Sequence, residues 1–164
     1  MTKILLVDDS KFLRLATERA LARAGYDVSS ATDGEQALEM AKTLCPDLIL
    51  LDMLLPKLPG PEVLKALKKD AKTADVPVVV FTGLSHKNAS RLQQDGAFGY
   101  LEKSELGLDK GCECLLRAVA DIIQQLPAKK PVNAKESPKK QEITSESGQR
   151  KPKSVLAAKP ASRG

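Results

Sequence analysis

Short apolar runs recur along residues 1–127, and most of them stop at a polar residue. Ile4-Leu5-Leu6-Val7 stops at Asp8-Asp9, and Leu48-Ile49-Leu50-Leu51 at Asp52. Val76–Thr82 is broken by Gly83, Phe98–Glu102 closes at Lys103, and Tyr26–Ala31 runs into the turn sequence Thr32-Asp33-Gly34. Unbroken apolar runs of this length predict strands buried on both faces, as in a parallel sheet. Pro77 is tolerable only because it falls at the start of its strand.

Between these runs the period changes. Leu13, Thr17, Leu21 and Ala24 keep helical spacing through Phe12–Ala24, with Ser10 placed to cap and Gly25 to stop. Glu35–Thr43 is rich in good helix formers. Pro56-Lys57-Leu58-Pro59-Gly60-Pro61 is too proline-rich for a helix, and Pro61 suits the first turn of Glu62–Asp70, whose apolar face is Val63, Leu64 and Leu67. Ser85–Gln94 is a more polar helix. Cys112, Leu115, Leu116, Val119, Ile122, Ile123 and Leu126 give a final amphipathic helix that Pro127 ends. Five strands alternating with five helices predict an α/β fold, a parallel sheet covered on both faces.

The pattern dissolves at Ala128. Residues 128–164 hold ten Lys/Arg and three Glu, a balance of +7. Taken from chain totals of 26 basic and 21 acidic residues, this leaves 16 and 18 in residues 1–127, a balance of −2. A segment this charged and this poor in large apolar groups cannot offset its ordering entropy, so 128–164 is expected to be a disordered Lys/Pro/Ser-rich tail beside a domain at 1–127. Its basic runs invite phosphate. It has no aromatic residue to stack bases and no recognisable DNA-binding domain, so the expectation is a solvated linker or remnant. Non-specific nucleic-acid binding, or binding to an acidic partner or membrane surface, is the lesser alternative.

Composition changes the picture little further. With three Phe, two Tyr and no Trp, the core must be mainly Leu, Val, Ala and Ile. Cys45, Cys112 and Cys114 are odd in number and lack CxxC spacing, which argues against a disulfide framework or zinc site, and Cys112 suits a small buried hydrophobe. His86, the single histidine, has no ligand-spaced companion. No apolar run approaches the ~20 residues that span a bilayer. The start meets two acids after four apolar residues, unlike a signal peptide, so a cytoplasmic location is expected.

Asp52 alone is better explained by a strand-ending turn than by a site. Its companions change the balance. In a doubly wound sheet, Asp8-Asp9, Asp52, Thr82 and Lys103 all emerge at the carboxyl edge of the strands, where ligands bind. Three clustered carboxylates repel unless a cation joins them, and a hard divalent ion such as Mg²⁺ (or Mn²⁺) is the natural counter-charge. Lys103 supplies a point charge and Thr82 a hydroxyl for a phosphoryl oxygen, leaving Asp52 as a carboxylate nucleophile. The bland alternative makes Asp8 and Asp9 acids at the start of a helix, favoured by its dipole.

Together, Asp8-Asp9, Asp52 followed by Pro56 and Gly60 at four and eight, Thr82-Gly83, Tyr100 and Lys103 resemble the receiver domain of bacterial response regulators, over about residues 3–126. The resemblance implies a flavodoxin-like (βα)5 sheet of order 2-1-3-4-5. It implies phosphorylation of Asp52 by a histidine kinase or phosphotransfer protein. It also implies Mg²⁺ held by Asp8, Asp9, Asp52 and the Met53 backbone carbonyl. Phosphorylation would draw Thr82 to the phosphoryl group and let Tyr100 turn inward, reshaping the face of the fourth helix, fifth strand and fifth helix for a downstream protein. The lesser alternative makes Tyr100, which alternates with Phe98, a core residue only. A monomer or a phosphorylation-dependent dimer is expected.

Two departures matter. Most relatives place proline after the lysine, often with a cis bond; here Ser104 follows Lys103, and a trans bond is expected because a non-proline cis bond costs about 2.5–4 kcal/mol. Leu54 and Leu84, two after Asp52 and Thr82, replace residues that often orient the hydrolytic water. The expectation is slow loss of phosphate, against a reading of both leucines as packing alone. Phosphatase-type hydrolases also form aspartyl phosphates, but place an acid where Leu54 stands. The expected function is therefore a stand-alone, phosphorylation-dependent signalling module without an output domain, not a turnover enzyme. A receiver-shaped adaptor working without phosphorylation is the alternative.

Overall fold

The computed structural model describes residues 1–84, 87, 89–106 and 112–127, all within one unit, Met1–Pro127. His86 and the tail at 128–164 lie outside the described residues. The strands are β1 (Lys3–Val7), β2 (Asp27–Ala31), β3 (Leu48–Leu51), β4 (Val78–Thr82) and β5 (Gly99–Glu102). The helices are α1 (Lys11–Arg23), α2 (Gly34–Leu44), α3 (Gly60–Lys69), α4 (Ala89–Gln94) and α5 (Glu113–Gln125). The sheet is parallel throughout with order β2-β1-β3-β4-β5, as the sequence predicts.

The apolar runs bury both faces, and alternate side chains divide between two cores. Leu5, Val7, Ile49, Leu51, Val78 and Val80 pack against Ala37 and Ala41 of α2, Val63, Leu64 and Leu67 of α3, and Leu92 of α4. Ile4, Leu6, Leu48, Leu50, Val79 and Phe81 pack against Leu21 of α1 and Leu115 and Val119 of α5. This is the period of two that a strand imposes, each strand serving two helical layers. Cys112 is buried in the second core, as expected of a small hydrophobe.

Helix ends follow local chemistry. Ser10 caps α1 by accepting from the Leu13 amide, and Gly25, with φ 96°, turns the chain out of it. Asp33 caps α2 by accepting the Gln36 amide at 2.8 Å. Pro59 and Pro61 fit the start of α3, where no N–H is required. Two bounds differ from expectation for clear reasons. The fourth strand begins at Val78 rather than Val76, because Pro77 has no N–H to give and the Val76 amide is taken by the Thr73 carbonyl. The third strand ends at Leu51, so Asp52 stands just past the ladder while its amide still bonds the Val7 carbonyl at 3.0 Å. The fourth helix, expected over Ser85–Gln94, is described over Ala89–Gln94; Ser85 and Asn88 lie outside the described residues.

The β3–α3 loop is pressed onto its neighbours through two glycines. A Cβ on Gly34 would lie 2.3 Å from the Leu58 carbonyl oxygen, and one on Gly60 would lie 2.5 Å from both the Asp52 carbonyl oxygen and the Met53 Cα. These are approaches only glycine permits. Gly60→Ala is accordingly expected to lower stability by about 1–3 kcal/mol, the usual cost of forcing extra volume into packed surroundings. Gly83→Ala, whose added methyl meets nothing within 4 Å, is expected to change stability by no more than about 0.5 kcal/mol. Urea denaturation of the two variants side by side checks the contrast.

Candidate functional site

The carboxyl edge of the sheet gathers the predicted groups. Asp8 follows β1 and is fully buried; Asp52 follows β3 and is 5% exposed; Asp9 is exposed. One carboxylate oxygen from each lies within 4.8 Å of the others. Lys103, immediately after β5, reaches across to donate to Asp8 Oδ2 at 2.7 Å and Asp52 Oδ2 at 2.9 Å. Strand order makes this possible, since β1, β3, β4 and β5 are successive neighbours in the sheet.

Each group is fixed by its backbone. The Ser10 amide donates to Asp8 Oδ1 at 2.9 Å, and Arg14 Nη1 to the Asp8 carbonyl at 3.0 Å. The Leu54 amide donates to Asp52 Oδ1 at 3.2 Å, which folds the chain back over the carboxylate. Lys103 begins a 3₁₀ turn, Lys103–Glu105, within which the Ser104 hydroxyl donates to Glu102 at 2.7 Å. The described residues contain no cis peptide bond, so Lys103–Ser104 is trans, as expected. Leu106, buried in the second core, anchors the far end of that turn.

The electrostatics are unbalanced. Burial by itself would push the Lys103 ammonium down, but the hydrogen bonds and charges of Asp52 and Asp8 outweigh it and hold Lys103 above the ordinary lysine value. That one ammonium faces three carboxylates, leaving an excess of two negative charges. Two buried carboxylates, an exposed third and an all-oxygen donor set fit a hard divalent cation.

Thr82 ends β4, fully buried, and its Oγ1 accepts the Leu84 amide at 3.4 Å. The half-buried Tyr100 of β5 donates its hydroxyl to the Leu84 carbonyl and packs against the first core. Burial pushes the Tyr100 phenol up, helped by Glu102 and Glu105. A cleft of about 170 Å³ opens here, lined by Met53, Thr82, Leu84, Leu92 and Tyr100 among others. Leu54 and Leu84 are 60% and 38% exposed, so neither is a core residue.

Met53 follows Asp52 directly. Its carbonyl accepts the Gly60 amide at 3.0 Å, which closes the β3–α3 loop, and its side chain is buried in the first core. A carbonyl oxygen has two lone pairs, so this bond leaves one for the ligand role the sequence implies. Sequence reasoning also missed three contacts. Arg14 braces the Asp8 carbonyl, Lys57 bonds Asp33 at 3.2 Å, and the Lys103 ammonium lies 5.2 Å from the centroid of the Phe81 ring. Only the last had a signal in the sequence, a phenylalanine beside Thr82 at an inward strand position.

Removing Lys103 leaves Asp8 and Asp52 facing each other unpaired. Lys103→Met is expected to destabilise the metal-free protein by about 3 kcal/mol, as breaking a buried pair does, and by less once MgCl₂ is present. Since Lys103 is held above its ordinary 10.5, its contribution is complete below that pH and is lost as pH rises through the raised value. The stability difference between wild type and Lys103→Met should therefore be level around neutrality and shrink only in strong alkali, as denaturant titrations across pH will read.

The chain is similar to known proteins over this same folded part. Residues 4–110 match the response regulator receiver domain. The chain is 34% identical over 126 residues to a DNA-binding dual master transcriptional regulator, RpaA, of Synechocystis sp., covering 77% of this chain and 46% of that one. It is 41% identical over 109 residues to a gliding motility regulatory protein of Myxococcus xanthus, 65% of this chain and 14% of that one. The chain thus spans less than half the length of either relative. Among solved structures, the chemotaxis response regulator CheY4 of Vibrio cholerae superposes with TM-score 0.67 at 31% identity, over 74% of this chain and 98% of that one. The response regulator domain of Thermotoga maritima CheB gives 0.66 at 27%, over 77% and 99%. The sheet that carries the carboxylate cluster and its bridging lysine is one these solved structures share, and the chain belongs to the response regulator receiver domain family.

Proposed function

We propose that Asp52 accepts a phosphoryl group from a histidine kinase or phosphotransfer protein and that the chain works as a phosphorylation-dependent signalling module. The observation that carries this reading is the bridging of two buried carboxylates by one ammonium beside a third, exposed carboxylate. Receiver domains typically bind Mg²⁺ and take up phosphate in an acidic pocket, which adds to it. In this reading Asp8, Asp9, Asp52 and the Met53 carbonyl would hold the metal, which would supply charge neutralisation for the oxygens of the transferring group.

The chain's own residues do the rest. An Asp52 carboxylate oxygen attacks phosphorus as the P–N bond to the donor histidine breaks and the imidazole leaves, and the buried Thr82 hydroxyl and the Lys103 ammonium receive phosphoryl oxygens through charge-assisted hydrogen bonds. Lys103 then exchanges a carboxylate partner for a phosphoryl one. Pulling Thr82 Oγ1 toward Asp52 takes it from the Leu84 amide, and Leu84 also carries the Tyr100 hydroxyl on its carbonyl. This relay of three residues biases α4, β5 and α5, the face we assign to the downstream partner. On the opposite flank, Phe12 is 80% exposed and Leu15 38% exposed on α1, close in sequence to Asp9. An apolar pair there suits a phosphodonor protein.

Release of phosphate is proposed to be slow. Leu54 and Leu84 carry no group that could orient a water, and no acid stands two residues after Asp52 for hydrolase chemistry. The module is therefore read as a receiver rather than a turnover enzyme, working in the cytoplasm. Among the described residues no helix is long and apolar enough to cross a membrane, which is compatible with that setting.

With acetyl phosphate and MgCl₂, the wild type should take up one phosphoryl group by intact-protein mass spectrometry and Asp52→Asn none. Labelling of Asp52→Asn equal to wild type would sink the assignment. Leu54→Asn should shorten the lifetime of the phosphorylated protein several-fold; a longer lifetime would remove the role given to Leu54.

A further inference from the structure

The aromatic residues of this chain are placed unevenly. Phe12 and Phe98 are exposed, and Tyr26 and Tyr100 are half-buried. Phe81 alone is fully buried, in a core whose other buried side chains are Leu, Ile, Val and Cys, with Tyr26 packed at its margin. Its neighbours on that face, Ile4, Leu6, Leu50 and Val79, are aliphatic. A leucine could fill a comparable space. What a leucine cannot offer is the negative face of a π-system, and Phe81 is where that face meets a cation, the Lys103 ammonium 5.2 Å from the ring centroid.

The position matters because of what happens to Lys103. Before any metal is present the ammonium is held by Asp8 and Asp52. Those carboxylates are also two of the three oxygen donors available to a divalent cation. A second cation among them repels the ammonium and withdraws its partners, while Lys103 is only 12% exposed on its side chain and cannot relax fully into water. Resting on the receiver reading above, we propose that Phe81 is a positioning residue: its ring is a second seat for the Lys103 ammonium, keeping it over the site after a divalent cation takes the carboxylates and before a phosphoryl oxygen arrives. Ser104 and the buried Leu106 fix the backbone end of that side chain, and Phe81 fixes its charged end.

The experiment uses the full chain labelled at lysine and read by NMR, with and without MgCl₂. In the wild type the ε-methylene protons of Lys103, identified by their loss in Lys103→Met, are expected upfield from the ring current, and to stay there when magnesium is added. Phe81→Leu and Phe81→Met should abolish that shift, and Phe81→Tyr, which keeps the ring, should retain it. Labelling by acetyl phosphate should fall about three- to tenfold in Phe81→Leu and Phe81→Met, the range expected for losing one cation–π contact, with magnesium affinity unchanged. Phe81→Tyr should be labelled as fast as wild type. An ordinary ε-methylene shift in magnesium-loaded wild type overturns the proposal, as does wild-type labelling speed in a folded Phe81→Leu or Phe81→Met protein. Failure of the wild type to be labelled at all would count against the receiver reading instead, and the ring-current measurement still decides the role of Phe81.

Discussion

Two carboxylates are buried at one edge of the sheet, and a single lysine makes their burial tolerable. Isolated charges of like sign in such a place would be driven to take up protons or to open the fold. Lys103 prevents this by donating to Asp8 and Asp52 at once, at 2.7 and 2.9 Å. Its side chain can do so only if β5 lies on the far side of β4 from β3, with the ends of β1, β3, β4 and β5 level. The sheet order and register provide that. The pair is nevertheless incomplete by design, since one ammonium cannot neutralise three acids. The residual negative charge is what makes the edge receptive to a divalent cation.

The surroundings hold that arrangement with backbone rather than bulk. Asp8 and Asp52 each accept an amide two residues downstream, from Ser10 and Leu54. Gly60 lets the loop after Asp52 close against its own start, its amide donating to the Met53 carbonyl. The turn after Lys103 has no proline to stiffen it. A Ser104–Glu102 hydrogen bond and the buried Leu106 stand in its place.

A second, weaker linkage leads away from the site. Leu84 donates its amide to Thr82 and accepts the Tyr100 hydroxyl on its carbonyl. One residue therefore connects the hydroxyl nearest the chemistry with the aromatic nearest the proposed partner face. Its side chain, like that of Leu54, is partly in solvent. Leucines at both positions offer no hydrogen bond to a water, and the proposed slow release of phosphate rests on that.

Most of this fold was legible in the sequence because its signals are local. Continuous apolar runs mark strands buried on both faces, helical spacing marks the layers, and capping residues such as Ser10 and Asp33 mark where helices begin. The site residues Asp8, Asp52, Thr82 and Lys103 were legible for a related reason: a parallel sheet delivers every strand's last residue to one edge, so position along each run foretells proximity. The boundary at Val78 needed the tertiary structure, which hands the Val76 amide to Thr73. So did the commitment of the Met53 carbonyl to Gly60 and the bracing of Asp8 by Arg14. The meeting of Lys103 with the Phe81 ring did as well. These depend on where a lone pair or a flexible side chain comes to rest among atoms distant in sequence. Periodicity determines which face a residue occupies; only packing decides what it touches there.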